Sequence, residues 1–420
     1  MIRRYCLSAI LAVSILAAAS LSHSQSLQGE REAFEYAQLL YSDDLYDTAA
    51  EEYRRFILNF PTSERLPNAR LQLAEAYFRA NELAKAVDAY QIFVDRHPDN
   101  IEASSALRNR AVALERLSEF GRAAVAFADL YERFRTGEYA VQDLLSAGTN
   151  ARKAGSFEES ERLYQTIITD HPTSPLIHEA TYNLSLVLMD QGRESEALVK
   201  LSSIQNSERE PDALLEIGRI ALAQNDLPRS EQTFTALKKR FPKSQSAESS
   251  YLVLGEWYEI QKEWDLAAKT YENGRTARLG ADRQQQAVLG LARAYRAAQR
   301  ETLHLYTQFI KVYPSSIYLP EARLGLGRTY ADKKQYRQAI AAFKRLQETF
   351  PDHPYSTAAH RDIGDVYVAL DSPRMALTAY HRHLSESTDD HESAITKLRM
   401  GDVYRAPLGW TDLAIRTLSD

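Results

Sequence analysis

The densest set of side chains able to bind a metal or move a proton lies in YHRHLSESTDDHE, residues 380–392, which holds His381, His383, Asp389, Asp390 and His391. Imidazoles two residues apart face different sides of a helix, so His381 and His383 cannot share an ion while that helix stays wound. The segment is expected to be a solvated surface. His97, His171 and His353 each stand immediately before a proline, a slot that Phe60, Phe241, Tyr313 and Phe350 fill elsewhere. Their shared position gives them a structural duty, a ring covering a helix end. Glycoside hydrolysis needs two carboxylates facing across a cleft, whereas Glu51/Glu52 and Asp43/Asp44 are adjacent pairs on polar faces or in turns. No glycine-rich phosphate loop, G-x-S-x-G elbow or H-E-x-x-H is present. The expectation is a non-enzyme with no catalytic residue, no metal and no cofactor.

What must be positioned is therefore a surface, and the elements that position it are marked by punctuation. An aromatic or histidine followed by proline recurs in NFPTS, RHPDN, DHPTS, RFPKS, VYPSS and TFPDH, with Pro61 and Pro98, and again Pro314 and Pro351, 37 residues apart. Proline lacks an N–H and disfavours the helical region for the residue before it, so each mark ends a helix. The Thr, Ser or Asp that follows can cap the next one. Pro67, Pro320 and Pro354 fit the first turn of a helix, where a missing N–H costs nothing.

Between the marks runs a second regularity. A small residue is followed after twelve positions by another, with a large one four further on: Ala37/Ala49/Tyr53, Ala74/Ala86/Tyr90, Gly148/Ser160/Tyr164, Gly255/Ala267/Tyr271, Gly327/Ala339/Phe343 and Gly364/Ala376/Tyr380 among others. Helices cross closely only where side chains are small, and the large residue fills the space beside the crossing. Each repeat is an antiparallel helix pair.

The stretches YLVLGEWYEIQKEWDLAAKTYENG (251–274) and RLGLGRTYADKKQYRQAIAAFKRLQETFP (323–351) resemble tetratricopeptide repeats, with the small, aromatic and terminal-proline positions filled in order. The resemblance covers residues 33–420, in ten repeats plus a partial eleventh. It implies an all-α, right-handed superhelical solenoid of antiparallel helix pairs. The 37-residue period and the YPxS-like linkers are similar to those of BamD-like and Tol-Pal-associated envelope proteins.

The pattern breaks in three places. SEREPDA, after Ile204, reads as a linker four residues short and divides a first sub-solenoid (33–207) from a second (208–420). LARAYRAAQRETLHLYTQF is two residues short between Tyr295 and Tyr306, which reads as a compressed turn. YRAPLGWTDLAIRTLSD inserts Pro407 and Gly409 and would leave Trp410, Leu413 and Ile415 exposed, as in a piece of a longer chain.

Residues 1–24 carry Arg3 and Arg4, an apolar run from Leu7 to Ala19, then small residues, the anatomy of a secretory signal; 25–32 is a short linker. Removal of the signal leaves 49 basic against 57 acidic residues, a charge near −8, a poor match to nucleic acid. The single cysteine, Cys6, leaves with it. No lipid anchor is evident, since BamD-like lipoproteins carry their cysteine just after the apolar run. The sequon Asn183-Leu184-Ser185 falls inside a helix with its serine at a packed crossing.

In tetratricopeptide arrays the first helix of each pair lines the concave face. The resemblance places Phe34, Tyr41, Phe78, Arg79, Arg152, Tyr182, Arg219, Arg293 and Arg328 toward that face as partner-binding residues. Taken singly, the aromatics serve equally well as packing between neighbouring helices. The expected partners are other envelope proteins or peptides, including acidic ones, with a glycan as an alternative ligand. The expected role is a non-catalytic periplasmic scaffold for envelope assembly or maintenance, peripheral to the outer membrane. Its alternatives are the scaffold part of an exopolysaccharide exporter and the accessory solenoid of a longer envelope enzyme.

Overall fold

A computed structural model describes residues 28–277, 279–405, 413–414 and 417. The segment read as a secretory signal, Trp410 and Ile415 lie outside the described residues; Leu413 is about one-third exposed. The described chain is helical throughout: α1 (28–42), α2 (Tyr46–Asn59), α3 (Leu66–Arg79), α4 (Leu83–Arg96), α5 (Ala103–Arg116), α6 (Phe120–Arg133), α7 (Ala140–Lys153), α8 (Phe157–Asp170), α9 (Ile177–Asp190), α10 (Glu194–Ser203), α11 (Glu210–Ala223), α12 (Leu227–Arg240), α13 (Gln245–Ile260), α14 (Trp264–Thr276), α15 (Ala281–Ala297), α16 (Leu303–Val312), α17 (Leu319–Asp332), α18 (Tyr336–Thr349), α19 (Pro354–Ala369), α20 (Pro373–Glu386) and α21 (Asp390–Arg405). Odd-numbered helices are the first members of the pairs. By its contacts the chain forms two compact units that meet in sequence at Ala213 and Leu214, inside α11.

Each turn within a pair is built on one residue in the left-handed region. In Asp44, Asn81, Ser118, Asn225, Lys262, Gln299, Lys334 and Asp371, φ lies between 52° and 61°, and Gly155 and Gly192 take the same place. The N–H after each bonds to the carbonyl five residues back, as Glu82 does to Tyr77, which satisfies the helix end. Between helices, Pro67, Pro320 and Pro354 sit in the first turns of α3, α17 and α19. The linker serines act earlier than a helix cap would. Ser63, Ser174 and Ser316 accept from the N–H two residues on, fixing the turn ahead of the helix. Among the described residues Ser244, Asp226 and Asp389 cap a helix with a side-chain oxygen, at α13, α12 and α21.

The crossing rule holds atom by atom. A Cβ built on Gly255 would lie 2.6 Å from the Tyr271 ring, and one on Gly148 would lie 2.7 Å from Tyr164. Tyr271 also covers Gly290 of the next first helix, and Tyr306 likewise covers Gly325. One ring thus fastens its own pair to the following pair.

Two breaks differ from their sequence reading. The segment after Ile204 keeps a six-residue connection, 204–209, and the four missing residues come out of α10, ten residues long against fourteen for α2, α4, α6 and α8. In the eighth pair the turn is lengthened, 298–302, and α16 is cut to ten residues. Thr302 therefore stands at the helix start, buried, with its hydroxyl 3.1 Å from that of Thr329.

In the histidine cluster His381, Asp389, Asp390 and His391 are exposed, as a solvated surface requires, and His383 alone departs from it. His383 is 2% exposed and its Nδ1 lies 3.1 Å from the Thr396 hydroxyl; His381 reaches the Tyr404 hydroxyl at 3.3 Å. Burial holds the His383 pKa below its ordinary value, with Arg361 and His360 adding to the effect. Among the described residues no cluster of three or more His, Cys, Asp or Glu could hold a metal ion. His171 is hydrogen-bonded to the Tyr131 hydroxyl at 2.8 Å and His97 packs on Phe93, as helix-end covers should. Ser185 is fully buried and donates to the Thr181 carbonyl. No helix among the described residues is long and apolar enough to cross a membrane.

Candidate binding groove

Successive first helices are tied by opposite charges about one repeat apart. In the second unit Arg293 of α15 grips Glu259 of α13 with both arms of its fork at 3.2 Å and reaches Glu321 of α17 at 2.5 Å. Arg296 bonds Asp332 at 2.7 Å and Arg328 bonds Asp362 of α19 at 2.6 Å. Arg399 of α21 pairs with Asp365, and Arg361 with Glu392. Burial alone would lower the pKa of Arg293, but the carboxylates of Glu259 and Glu321 outweigh it and raise the value. These pairs line two hollows. One, about 480 Å³, is bordered by Arg296, Arg328, Asp332, Arg361, Asp362 and Arg399. The other, about 640 Å³, has an apolar wall of Ile260, Trp264, Leu324 and Tyr355 facing Glu256, Arg293 and Arg328.

The first unit uses the same device with rings added. Arg108 of α5 holds the buried Asp143 of α7 through two bonds of 2.7 and 2.8 Å and lies 4.7 Å from the Tyr139 ring. Asn109 donates to Glu75 of α3, and Lys153 of α7 reaches back to Glu115 of α5 at 2.8 Å.

Each residue expected on the concave face has a place in this scheme. Phe34 is 3% exposed, edge-on to Tyr53 and Phe56, and has no free face. Tyr41 packs on Tyr46, and its hydroxyl, by hydrogen bond, raises the pKa of the exposed Arg79. Phe78 is half-buried, edge-on to Tyr90 and covered by the Arg116 guanidinium at 4.6 Å. Tyr182 is covered by Arg209, which also binds Glu179. Arg152 bonds Asp190 of the next first helix at 2.5 Å. Arg219 is exposed and 3.7 Å from Glu216. Arg293 and Arg328 are engaged as described. The arginine register is thus in large part a set of inter-repeat ties, in which Arg152, Arg293 and Arg328 already hold carboxylates. Arg108, Arg296, Arg361 and Arg399, with Glu256 and Asp143, were missed in the sequence. The signal that could have found the ties is a basic and an acidic residue 34 to 36 positions apart, as in Arg108/Asp143, Glu259/Arg293, Arg296/Asp332, Arg328/Asp362 and Asp365/Arg399.

One carboxylate stands outside the ladder. Glu256, on α13, borders both the 640 Å³ hollow and a smaller one of about 210 Å³, yet makes no ion pair or hydrogen bond among the described residues. The residue is exposed at its surface, and partial desolvation within the hollows raises its pKa, Arg293 opposing and Glu259 adding.

Known proteins resemble the chain in parts. Residues 28–107 match the YfiO family of outer membrane lipoproteins. Residues 145–207, and separately 212–244 and 321–353, match tetratricopeptide-repeat families. The outer membrane protein assembly factor BamD of Rickettsia prowazekii (strain Madrid E) is 26% identical over 181 residues, covering 38% of this chain and 72% of that protein. Among solved structures, yeast Tom70 is 13% identical, spans 93% of this chain and 91% of its own, and has a TM-score of 0.43. MamA is 18% identical over 41% of this chain and 88% of its own, with a TM-score of 0.31. The chain is similar to tetratricopeptide-repeat proteins, and over 28–107 to outer membrane lipoproteins.

Proposed function

We propose that the chain is a non-catalytic scaffold of the cell envelope, exported to the periplasm, which holds other envelope proteins during assembly of outer-membrane proteins. The observation that carries this reading is the likeness of residues 28–107 to outer membrane lipoproteins, strengthened by the relative that is itself an outer membrane protein assembly factor. The side chains support it: the first-helix face bears ion pairs, half-covered rings and shallow hollows, features of a surface that receives polypeptide. The anchors follow from what the internal ties leave accessible. The wall of Ile260, Trp264 and Tyr355 and the uncommitted Glu256 are better candidates than Phe34, whose ring is packed inside its repeat. Depletion of the protein in its own cell is expected to lower the levels of assembled outer-membrane proteins and to leave cytoplasmic proteins unchanged. Unaltered outer-membrane protein levels would overturn the reading.

A further inference from the structure

We propose that the recess around Glu256 receives a lysine side chain from an extended segment of a partner protein, the residue beside that lysine lying on the apolar wall of Ile260, Trp264 and Tyr355. This rests on the scaffold reading in taking the occupant to be polypeptide.

Three observations converge. The 640 Å³ and 210 Å³ hollows share Glu256, Arg293 and Glu321 in their linings, so an apolar entrance adjoins a polar end. At that end Tyr271, 1% exposed, borders the smaller hollow, and its buried hydroxyl, with Arg293 beside it, makes no hydrogen bond of good geometry. At the same register the Tyr164 hydroxyl is matched by Thr149 and that of Tyr380 by Asp365, whereas those of Tyr53 and Tyr90 are unmatched as well but border neither of these two hollows. A buried hydroxyl left unmatched is destabilising unless something else bonds it. The third observation is charge. Glu256, Glu259 and Glu321 gather around one guanidinium, Arg293, leaving two negative charges in excess, while Arg296 and Arg328 at the entrance are neutralised by Asp332 and Asp362.

A partner carboxylate entering here would meet that excess, whereas an ammonium would relieve it. Lysine suits the shape as well. Its alkyl stem can lie along apolar surface while its three N–H donors reach the Glu256 carboxylate and the Tyr271 oxygen, both able to accept. Ile260 is 75% exposed beside the entrance, a large apolar side chain placed to meet the neighbouring residue of the segment.

The test uses the full mature chain and a fluorescein-labelled peptide of alternating leucine and lysine, with its glutamate and norleucine counterparts, read by fluorescence anisotropy. The lysine peptide is expected to bind at least tenfold more tightly than either counterpart. Glu256→Gln should weaken it about tenfold and Tyr271→Phe about threefold, with melting of the Glu256→Gln chain unchanged. Equal or tighter binding of the glutamate peptide would overturn the proposal, as would indifference to Glu256→Gln, or competition by maltohexaose with no lysine preference. The depletion experiment is read separately: a failure of peptide recognition removes the lysine recess alone, and unchanged outer-membrane protein levels remove the envelope role alone.

Discussion

Arg293 shows how one residue serves packing and surface together. It is shared by Glu259 and Glu321, and Glu256 feels its charge. Replacing it by glutamine leaves three carboxylates facing one another with no cation between them. The side chain is about 41% exposed, so screening moderates the loss. We expect Arg293→Gln to destabilise by about 1–2 kcal/mol at pH 7, and to regain part of that near pH 5 as a carboxylate takes up a proton and repulsion falls. Urea unfolding at the two pH values checks it; equal losses at both would show that the carboxylates do not interact. The sequence pointed to Arg293 and Arg328 by register but could not show their partners, which lie about one repeat away and become neighbours only when helices stack. Phe34 failed as a surface residue for a related reason. An aromatic on a first helix can face the groove or its own second helix, and Tyr53 and Phe56 determine the choice.

At the scale of elements, helix existence and pairing were legible because prolines and small residues mark stops and crossings in local sequence. The internal turns were not, because eight of their ten left-handed positions lack glycine. Lys334 adopts φ 58° there with no compensating side-chain role in the turn. Lys334→Gly is expected to stabilise by about 0.5–1 kcal/mol through relief of the Cβ strain, seen as a raised denaturation midpoint; a lowered midpoint would mean that unfolded-chain entropy dominates. The shortening of α10 and α16 was misassigned to connections because a gap in a periodic pattern does not say which side of a helix boundary it falls on. The last pairs carry a pH dependence. Burial lowers the pKa of both His360 and His383, Glu386 opposing at His360, so each resists the proton when folded and accepts it when unfolded. The stability they confer is complete above the ordinary value of 6.5 and is lost as pH falls toward the lowered folded values. The urea midpoint should therefore drop between pH 7.5 and 5.5, and the double variant His360→Gln with His383→Gln should flatten that drop; an unchanged slope would exclude the pair.

At the largest scale the governing fact is that, within each unit, contacts run between consecutive helices and between successive first helices, such as α7 with α9, α13 with α15 and α17 with α19. Stability in such an array is a sum of repeat terms and nearest-neighbour terms, so damage should stay near its origin. Gly255 is the place to test this. A leucine there would drive its Cβ to 2.6 Å from Tyr271, whose ring also lies against Gly290, so one substitution strikes two junctions. Overpacking of this kind costs about 3 kcal/mol when neither backbone nor ring can yield, and Tyr271 is held on both sides. Hydrogen exchange of the Gly255→Leu chain is expected to rise in α13, α14 and α15, less in α12 and α16, and not in α3 to α6. The graded pattern separates two kinds of cohesion. If the charge ladder only decorates a stack held by rings at glycines, loss should follow the Tyr271 contacts and fade out at α16. If the ladder carries coupling too, loss should extend through Arg293 to Glu321 and so into α17, and adding 0.5 M salt to the wild-type chain should loosen the same helices. Uniform loss across all helices would mean that the array unfolds as a single cooperative body, contrary to the sum of local terms.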